Sequence, residues 1–447
     1  MKKICLIIAI AFATGCSFLE EAPRDQRARE DVISGDATLY LNTLGNLYGM
    51  IGGNETSLGL AGTYCGVYDL DTFTTDEAML PTRGGDWYDG GLRKRLYLHT
   101  WEVGEAPVKE AWNYLYKVIV LANQAIADLG GKPDWQMEAR AVRALFYYYL
   151  LDMYGRVPIV TSTEIAMSEV AQSERPEVFC FVVGELESVL YGLPGERGNR
   201  PGIYYGRLTR PVAWFLLAKL NLNAPVYSGE NRYSEVIKYC DLHTDFVYML
   251  EDDYSSNFAI FNEGSSENIF TIPMDKHLYS AQNQYLFRSH HYDHAAACGF
   301  TGENGSSATL EVLEANGFET QDQDPRFDIN YWGGVPVDLK GNKIDLCYKH
   351  WSVGLDVTGT PDEKTAGARM RKYELDPSAM KDGKLMDNDW VLFRYADVLL
   401  MKAEALLRGG DKEGALALVN MVRTRAGAKP FTSIDEEIFM RECTIIN

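Results

Sequence analysis

The stretch RYADVLLMKAEALLRGGDKEGALALVNMVRTRAG, residues 394–427, decides the fold. Apolar residues recur at three-and-four spacing on both sides of Gly409-Gly410, which reads as two amphipathic helices joined at a glycine turn. Helices on so short a connection pack as an antiparallel pair. Arg394, Asp397 and Glu404, at helical spacing on the first helix, are expected to fix that packing through buried or half-buried ion pairs rather than to bind a ligand.

The same pattern recurs upstream. From Val108 to Leu129 the run VKEAWNYLYKVIVLANQAIADL puts Trp112, Leu115, Tyr116, Ile119 and Asn123 on one face and stops at Gly130-Gly131. EARAVRALFYYYLLDMYG follows, with Val142, Leu145, Phe146, Tyr149, Leu150 and Met153 on a stripe that ends at Gly155. A further helix begins near Pro211, whose missing N–H is harmless in a first turn, and Ser228-Gly229 turns it into NRYSEVIKYCDLH. Each pair has roughly the length of a tetratricopeptide unit, and AEALLRGGDKEGALALV carries that repeat's Ala, Gly and Ala-Leu placements. The expected fold is mainly α, a tetratricopeptide-like scaffold of stacked helical hairpins.

Between residues 245 and 387 the character changes. GSSEN, TGENGSS, QDQDPRFD, YWGGVP and TGTPDEK punctuate short apolar segments with turn residues. This predicts an irregular, loop-rich insert carrying short strands, set between a helical scaffold over 41–244 and a C-terminal hairpin over 388–447. Loops on a rigid scaffold are where binding residues collect. The earlier loop TTDEAMLPTRGGDWYDGG, residues 74–91, has the same look.

The chain's start, MKKICLIIAIAFATGCSFLEE, sets Lys2 and Lys3 before an apolar run, Ile4 to Thr14, that is about half the ~20 residues a bilayer-spanning helix needs. A basic start, a short apolar run and a small-residue exit are the parts of a secretory signal peptide over residues 1–15. Ala13, Thr14, Gly15 and Cys16 resemble the lipobox of bacterial lipoproteins, so Cys16 is expected to be lipidated and residues 16–40 to form the tether and entry segment. The alternative is a plain signal peptide with Cys16 incidental.

Sixty-three acidic residues against forty-three basic ones leave a charge of -20, which repels a phosphate backbone and argues against nucleic acid as a partner. No later cysteine pair forms a CxxC, so neither a disulfide framework nor a zinc site is expected. GxSxG, Walker and dinucleotide-glycine patterns are absent. Paired acids such as Asp76-Glu77, Asp252-Asp253 and Asp322/Asp324 are what chance supplies in so acidic a chain. No enzyme activity and no cofactor are implied.

CSFLEEAP, WNYLYKVIVLANQAI, EARAVRALFYYYLLDMYGRVPIV, GRLTRPVAWFLLAKLNL and WVLFRYADVLLMKAEALLRGG with ALVNMVRTRAG, in this order, resemble the SusD/RagB family of nutrient-uptake lipoproteins. The resemblance implies a surface-exposed outer-membrane lipoprotein that captures oligosaccharide and delivers it to a SusC-like TonB-dependent barrel. Peptide cargo is the alternative within that class, and a helical-repeat scaffold that binds only protein is the alternative outside it. Glu20-Glu21 behind Cys16 is similar to the family's surface-export signal. The family continues past RTRAG through a further helix, and FMRECTIIN stands where that helix is expected to begin.

For the ligand, PTRGGDWYDGG offers Arg83, Asp86, Trp87, Tyr88 and Asp89 between glycine pairs. An aromatic plate suits the apolar face of a sugar ring, and charged groups hydrogen-bond its hydroxyls. Trp87 is the expected plate; the competing reading is that it anchors its own loop. The loop resembles the family's RGGDW-like segment beside the ligand. TGENGSSATLE resembles a family loop that often reads Trp-Asn-Gly; Glu303 stands in the Trp place and Asn304 carries over. Tyr292, Trp332 and Trp351 are further aromatic candidates, with packing as their competing role. HHYDH, residues 290–294, has metal-ligand residue types, but spacing places no third ligand and no HExxH glutamate. No metal is implied.

Overall fold

The computed structural model describes residues 37–53, 58–102, 104–246, 248–279 and 282–446. The expected signal peptide, Cys16 and Glu20-Glu21 lie outside them. Of the described helices, none is long and apolar enough to cross a membrane.

The helical expectation is met. Ala106–Asp128 packs on Pro133–Tyr154, Arg210–Leu222 on Tyr233–Asp245, and Tyr395–Arg408 on Lys412–Arg425. Proline sits in the first turn of several of these, where its missing N–H costs nothing. Gly155 closes the second helix with φ 72°, and a Cβ there would lie 2.7 Å from the Arg175 guanidinium, so the turn requires glycine. Asn123, polar on an apolar stripe, donates to the Val160 carbonyl at 2.9 Å and accepts from Arg143 at 2.8 Å. It stitches the first pair to the strand-like segment that follows.

One helix escaped the sequence reading. Arg175–Val189 packs against Pro133–Tyr154 and turns separate hairpins into a continuous stack. It buries Val178, Phe179, Val182, Leu186 and Val189. Gly184 in its middle and the tight FCFVV run blur the helical period, since glycine weakens a helix by about 1 kcal/mol. The core then runs unbroken into the last hairpin: Phe215 stacks on Phe393 with ring centroids 4.2 Å apart.

Arg394 and Asp397 do hold structure. The Arg394 backbone N–H donates to the Asp397 carboxylate at 3.2 Å, and the Arg394 guanidinium reaches buried Glu267 at 3.0 Å. Glu404 does less: among the described residues its ion pair is with Arg408, one turn along its own helix, where such a pair contributes about 0.3–0.5 kcal/mol. FMREC, expected to stand at the start of a helix, lies inside one: Glu436–Ile446 is helical. Its Glu442 is fully buried and takes hydrogen bonds from Arg326 at 2.7 Å and from Arg423.

The insert holds helices of at most six residues and two small sheets. One pairs Asn268–Ile272 with Trp390–Arg394, which moors the insert to the last hairpin. The other has two-residue strands in the order β1 (Ala78–Met79), β3 (Ser307–Ala308), β5 (Arg369–Met370), β4 (Tyr331–Trp332), taking β2 as Asn268–Ile272. Ala78 opposes Ala308 and Met79 opposes Ser307. That register lays the loop after β1 beside the loop before β3, so two stretches distant in sequence meet. The six described cysteines are free thiols.

Candidate functional site

The loop leaving β1 is held in shape by its own backbone. Arg83 and Asp86 exchange N–H···O bonds of 3.0 and 3.2 Å around Gly84-Gly85. Gly84, Gly90 and Gly91 take positive φ, and so do two residues that carry side chains, Trp87 at 59° and Asp89 at 42°. A left-handed tryptophan is strained by about 1 kcal/mol or more, and such strain concentrates where geometry serves a task.

Trp87 anchors its own loop. Its indole N–H donates to the Glu303 carbonyl at 2.8 Å, in the loop that precedes β3. The ring lies against Gly305, where a Cβ would stand 2.7 Å from two indole carbons and from the Arg288 carbonyl. Tyr64 is tilted beside it at 5.9 Å, and the Arg93 guanidinium lies 5.7 Å from the ring centre. The indole is thereby anchored, yet it stays half-buried and lines an open depression of 400 Å³ with Tyr64, Asp86, Asp89, Arg93, Tyr292 and Glu303.

The polar rim is ordered by pairs. Asp86 accepts from the Tyr292 hydroxyl at 2.6 Å and from Lys364 at 2.9 Å, and these two donors hold its carboxyl below the usual range. Asp89 takes a 3.2 Å bond from Arg93. Arg93 also reaches Asp69 beneath, which is fully buried and bonded at 2.7 Å to Arg288. Burial opposes ionisation of Asp69, but Arg288 and Arg93 outweigh it and hold its pKa below the ordinary value. Arg288 lies 4.4 Å from the Tyr64 ring centre, so an ion-paired floor supports both aromatic rings. Glu303 is half-buried, and burial raises its carboxyl.

The sequence candidates therefore divide. Asp86, Trp87, Asp89 and Tyr292 are brought together. Arg83 is 0 % exposed and spends its guanidinium on Ser307 Oγ at 2.8 Å and the Glu363 carbonyl at 3.3 Å. Asn304, equally buried, bonds the Lys364 carbonyl and Arg369. Both brace the loops from below and do not line the depression. Trp332 is not part of it either: Arg371 covers its ring at 3.8 Å. Tyr88, 59 % exposed, stands outside the lining. Trp351 is exposed elsewhere, with its indole N–H on Glu319 at 2.7 Å. Tyr64 and Arg93 were missed. Tyr64 had a signal, an aromatic in GTYCG between glycines, as in the loop that was chosen.

The histidines of HHYDH are packed inward. His290 and His294 sit with ring centroids 4.5 Å apart, and His294 bonds the Tyr348 hydroxyl at 2.9 Å. Among the described residues no group of three or more His, Cys, Asp or Glu is placed to hold a metal ion.

Gly305→Ala tests the packing of the Trp87 indole. Its methyl would meet backbone on one side and indole on the other. A stability loss of about 1–3 kcal/mol is expected in urea unfolding, the usual cost of overpacking. An unchanged midpoint would show that the indole yields freely.

Comparison with known proteins gives a consistent likeness. The SusD family model matches residues 302–441. The starch-binding protein SusD of Bacteroides thetaiotaomicron is 25 % identical across 82 % of this chain and 71 % of that protein. A SusD-like carbohydrate-binding protein from Bacteroides fragilis superposes with a TM-score of 0.75 at 19 % identity, covering 93 % of this chain and 84 % of that one. A laminarin-binding SusD-like protein gives 0.69 at 19 % identity, covering 92 % and 89 %. At these identities the structural matches speak for the fold.

Proposed function

We propose that this chain, SusD-like in its sequence relatives and its fold, captures an oligosaccharide at the cell surface and delivers it to a SusC-like TonB-dependent transporter. The observation that carries the reading is the depression around Trp87. It offers aromatic faces from Tyr64, Trp87 and Tyr292, acceptors from Asp86, Asp89 and Glu303, and a donor in Arg93, on an ion-paired floor. Sugar rings need that combination, because their C–H faces stack on aromatics while their hydroxyls both donate and accept. Binding of this kind needs no covalent step. The starch- and laminarin-binding relatives support a glycan as the cargo class.

Anchoring follows from the chain's start. A lipid on Cys16 would hold the protein on the outer membrane, at about 0.8 kcal/mol per buried CH₂; among the described residues no helix is long and apolar enough to cross it.

Calorimetric titration of the purified protein with a panel of polysaccharides and a peptide mixture tests the proposal. Glycan binding without turnover is the expected result, and binding of peptides alone would move the cargo to that class. Trp87→Ala should weaken glycan binding by about 2 kcal/mol or more, about thirtyfold, as loss of a central aromatic anchor does. A variant that binds normally would place the site elsewhere.

A further inference from the structure

A second and larger depression, 760 Å³, shares no lining residue with the first. Its walls include Glu196, Arg197, Arg200, Ile203, Tyr204 and Phe246. Arg197 is only 9 % exposed. Its guanidinium lies 4.4 Å from the Tyr248 ring centre, one Nη donates to the Ser265 carbonyl, and Nε has no hydrogen-bond partner. Burial lowers the Arg197 pKa and exposed Arg200 adds to that, while Tyr248 and Glu251 oppose them. Among the described residues no carboxylate forms an ion pair with either arginine.

That arrangement is costly. Carboxylates outnumber basic groups 63 to 43 in this chain, and the buried arginines Arg93, Arg288, Arg326 and Arg394 each pair with one, while Arg83 and Arg369, which have none, have their guanidiniums bonded instead to Ser307, Asn304 and backbone carbonyls. Two neighbouring guanidiniums, one of them buried and neither in a direct ion pair with the carboxylates around them, Glu196 and Glu251, can take an anion from outside. The remaining walls narrow its identity. Tyr204 and Phe246 present half-buried rings and Ile203 an exposed aliphatic chain, which a bare inorganic anion cannot use. Exposed Glu196 would repel such an anion but accepts hydrogen bonds from hydroxyls.

We infer that this depression is a second binding site, for an acidic sugar such as a uronic-acid unit. Its carboxylate meets Arg197 and Arg200, its hydroxyls meet Glu196, and its C–H face lies against Tyr204 and Phe246. The site is independent of the Trp87 depression and stands or falls separately from the reading given to it.

The test is calorimetry on the purified protein at low ionic strength with oligogalacturonate, a neutral galacto-oligosaccharide of equal length, and inorganic sulfate. Oligogalacturonate should bind, and added salt should weaken it. Arg200→Ala should reduce the affinity about tenfold, the loss of one charge-assisted hydrogen bond, with Arg200→Lys losing less. Arg200 is exposed, so neither change should alter the unfolding midpoint. Trp87→Ala should leave oligogalacturonate binding intact. No binding, binding indifferent to Arg200→Ala, binding abolished by Trp87→Ala, or sulfate binding as tightly as oligogalacturonate would each overturn the inference.

Discussion

Replacing Glu267 by alanine is expected to lower the unfolding free energy by about 3–5 kcal/mol, the usual result of stripping one partner from a buried ion pair. Glu267 is fully buried at the start of the strand that moors the insert. Its carboxylate takes Arg394 at 3.0 Å, Arg425 at 3.1 Å, the Asn257 amide at 2.9 Å and the Glu251 backbone N–H at 3.0 Å. Burial works against its charge, yet the two arginines and Asn257 keep its pKa below the ordinary glutamate value. Alanine leaves two largely buried guanidiniums facing a void. Glu267→Gln keeps the shape and some hydrogen bonds and should cost less. Urea unfolding of the three proteins measures the difference; equal midpoints would mean that water replaces the carboxylate without penalty.

Acid is expected to be nearly as damaging. Burial holds His243 and His290 down to about 4 and His294 to about 3, with His290 adding to the effect on His294. The unfolded imidazoles protonate near 6.5. The unfolded chain therefore takes up protons that the fold refuses, so stability present above about pH 6.5 is lost as the pH falls toward 4. Asp389 has the opposite sign: burial raises it to about 6, and it binds a proton in the fold before it would when unfolded. Glu77 and Glu303, raised by burial, act with it. The histidines outnumber Asp389, and His291 shifts with them. Asp71, raised to about 7 by burial and by Asp152, also works against the histidines, which leaves a net uptake of about one proton and a slope of about 1.4 kcal/mol per pH unit. Urea midpoints between about pH 7 and 4.5 test this. A flat profile would show that the folded protein already carries those protons, and His243→Gln should flatten part of the slope.

The helices were legible because their signal is local: seven or eight residues of period and a glycine stop suffice, as in residues 394–427. Arg175–Val189 was not, since Gly184 and a dense apolar run hide which face is buried. The Trp87 loop was legible for a similar reason, its aromatics and acids being crowded between glycines. What no local pattern carries is which neighbours the loop will meet. Tyr64 and Arg93 reach the depression through the helix Val67–Phe73 and the ion pairs of Asp69, and Glu303 through the two-residue pairing of β1 with β3. The same limit explains Arg83 and Asn304. Both have the right chemistry in the right loops, but burial follows from β5, whose Arg369 and flanking carbonyls lie beyond residue 360. Glu267 was invisible as a hub for the same reason: its arginines come from the last hairpin.

The pairing of Ala78–Met79 with Ser307–Ala308 also dates the depression in the life of the chain. A two-residue ladder that closes a loop of more than two hundred residues is among the last contacts a folding chain can afford to make. Trp87 finds Glu303 only once the insert has been synthesised and seated. A ligand held there binds none of the earlier states, so it adds to the stability of the finished fold by mass action alone. A ligand bound in the depression would thus report that the loop after β1 and the insert have come together.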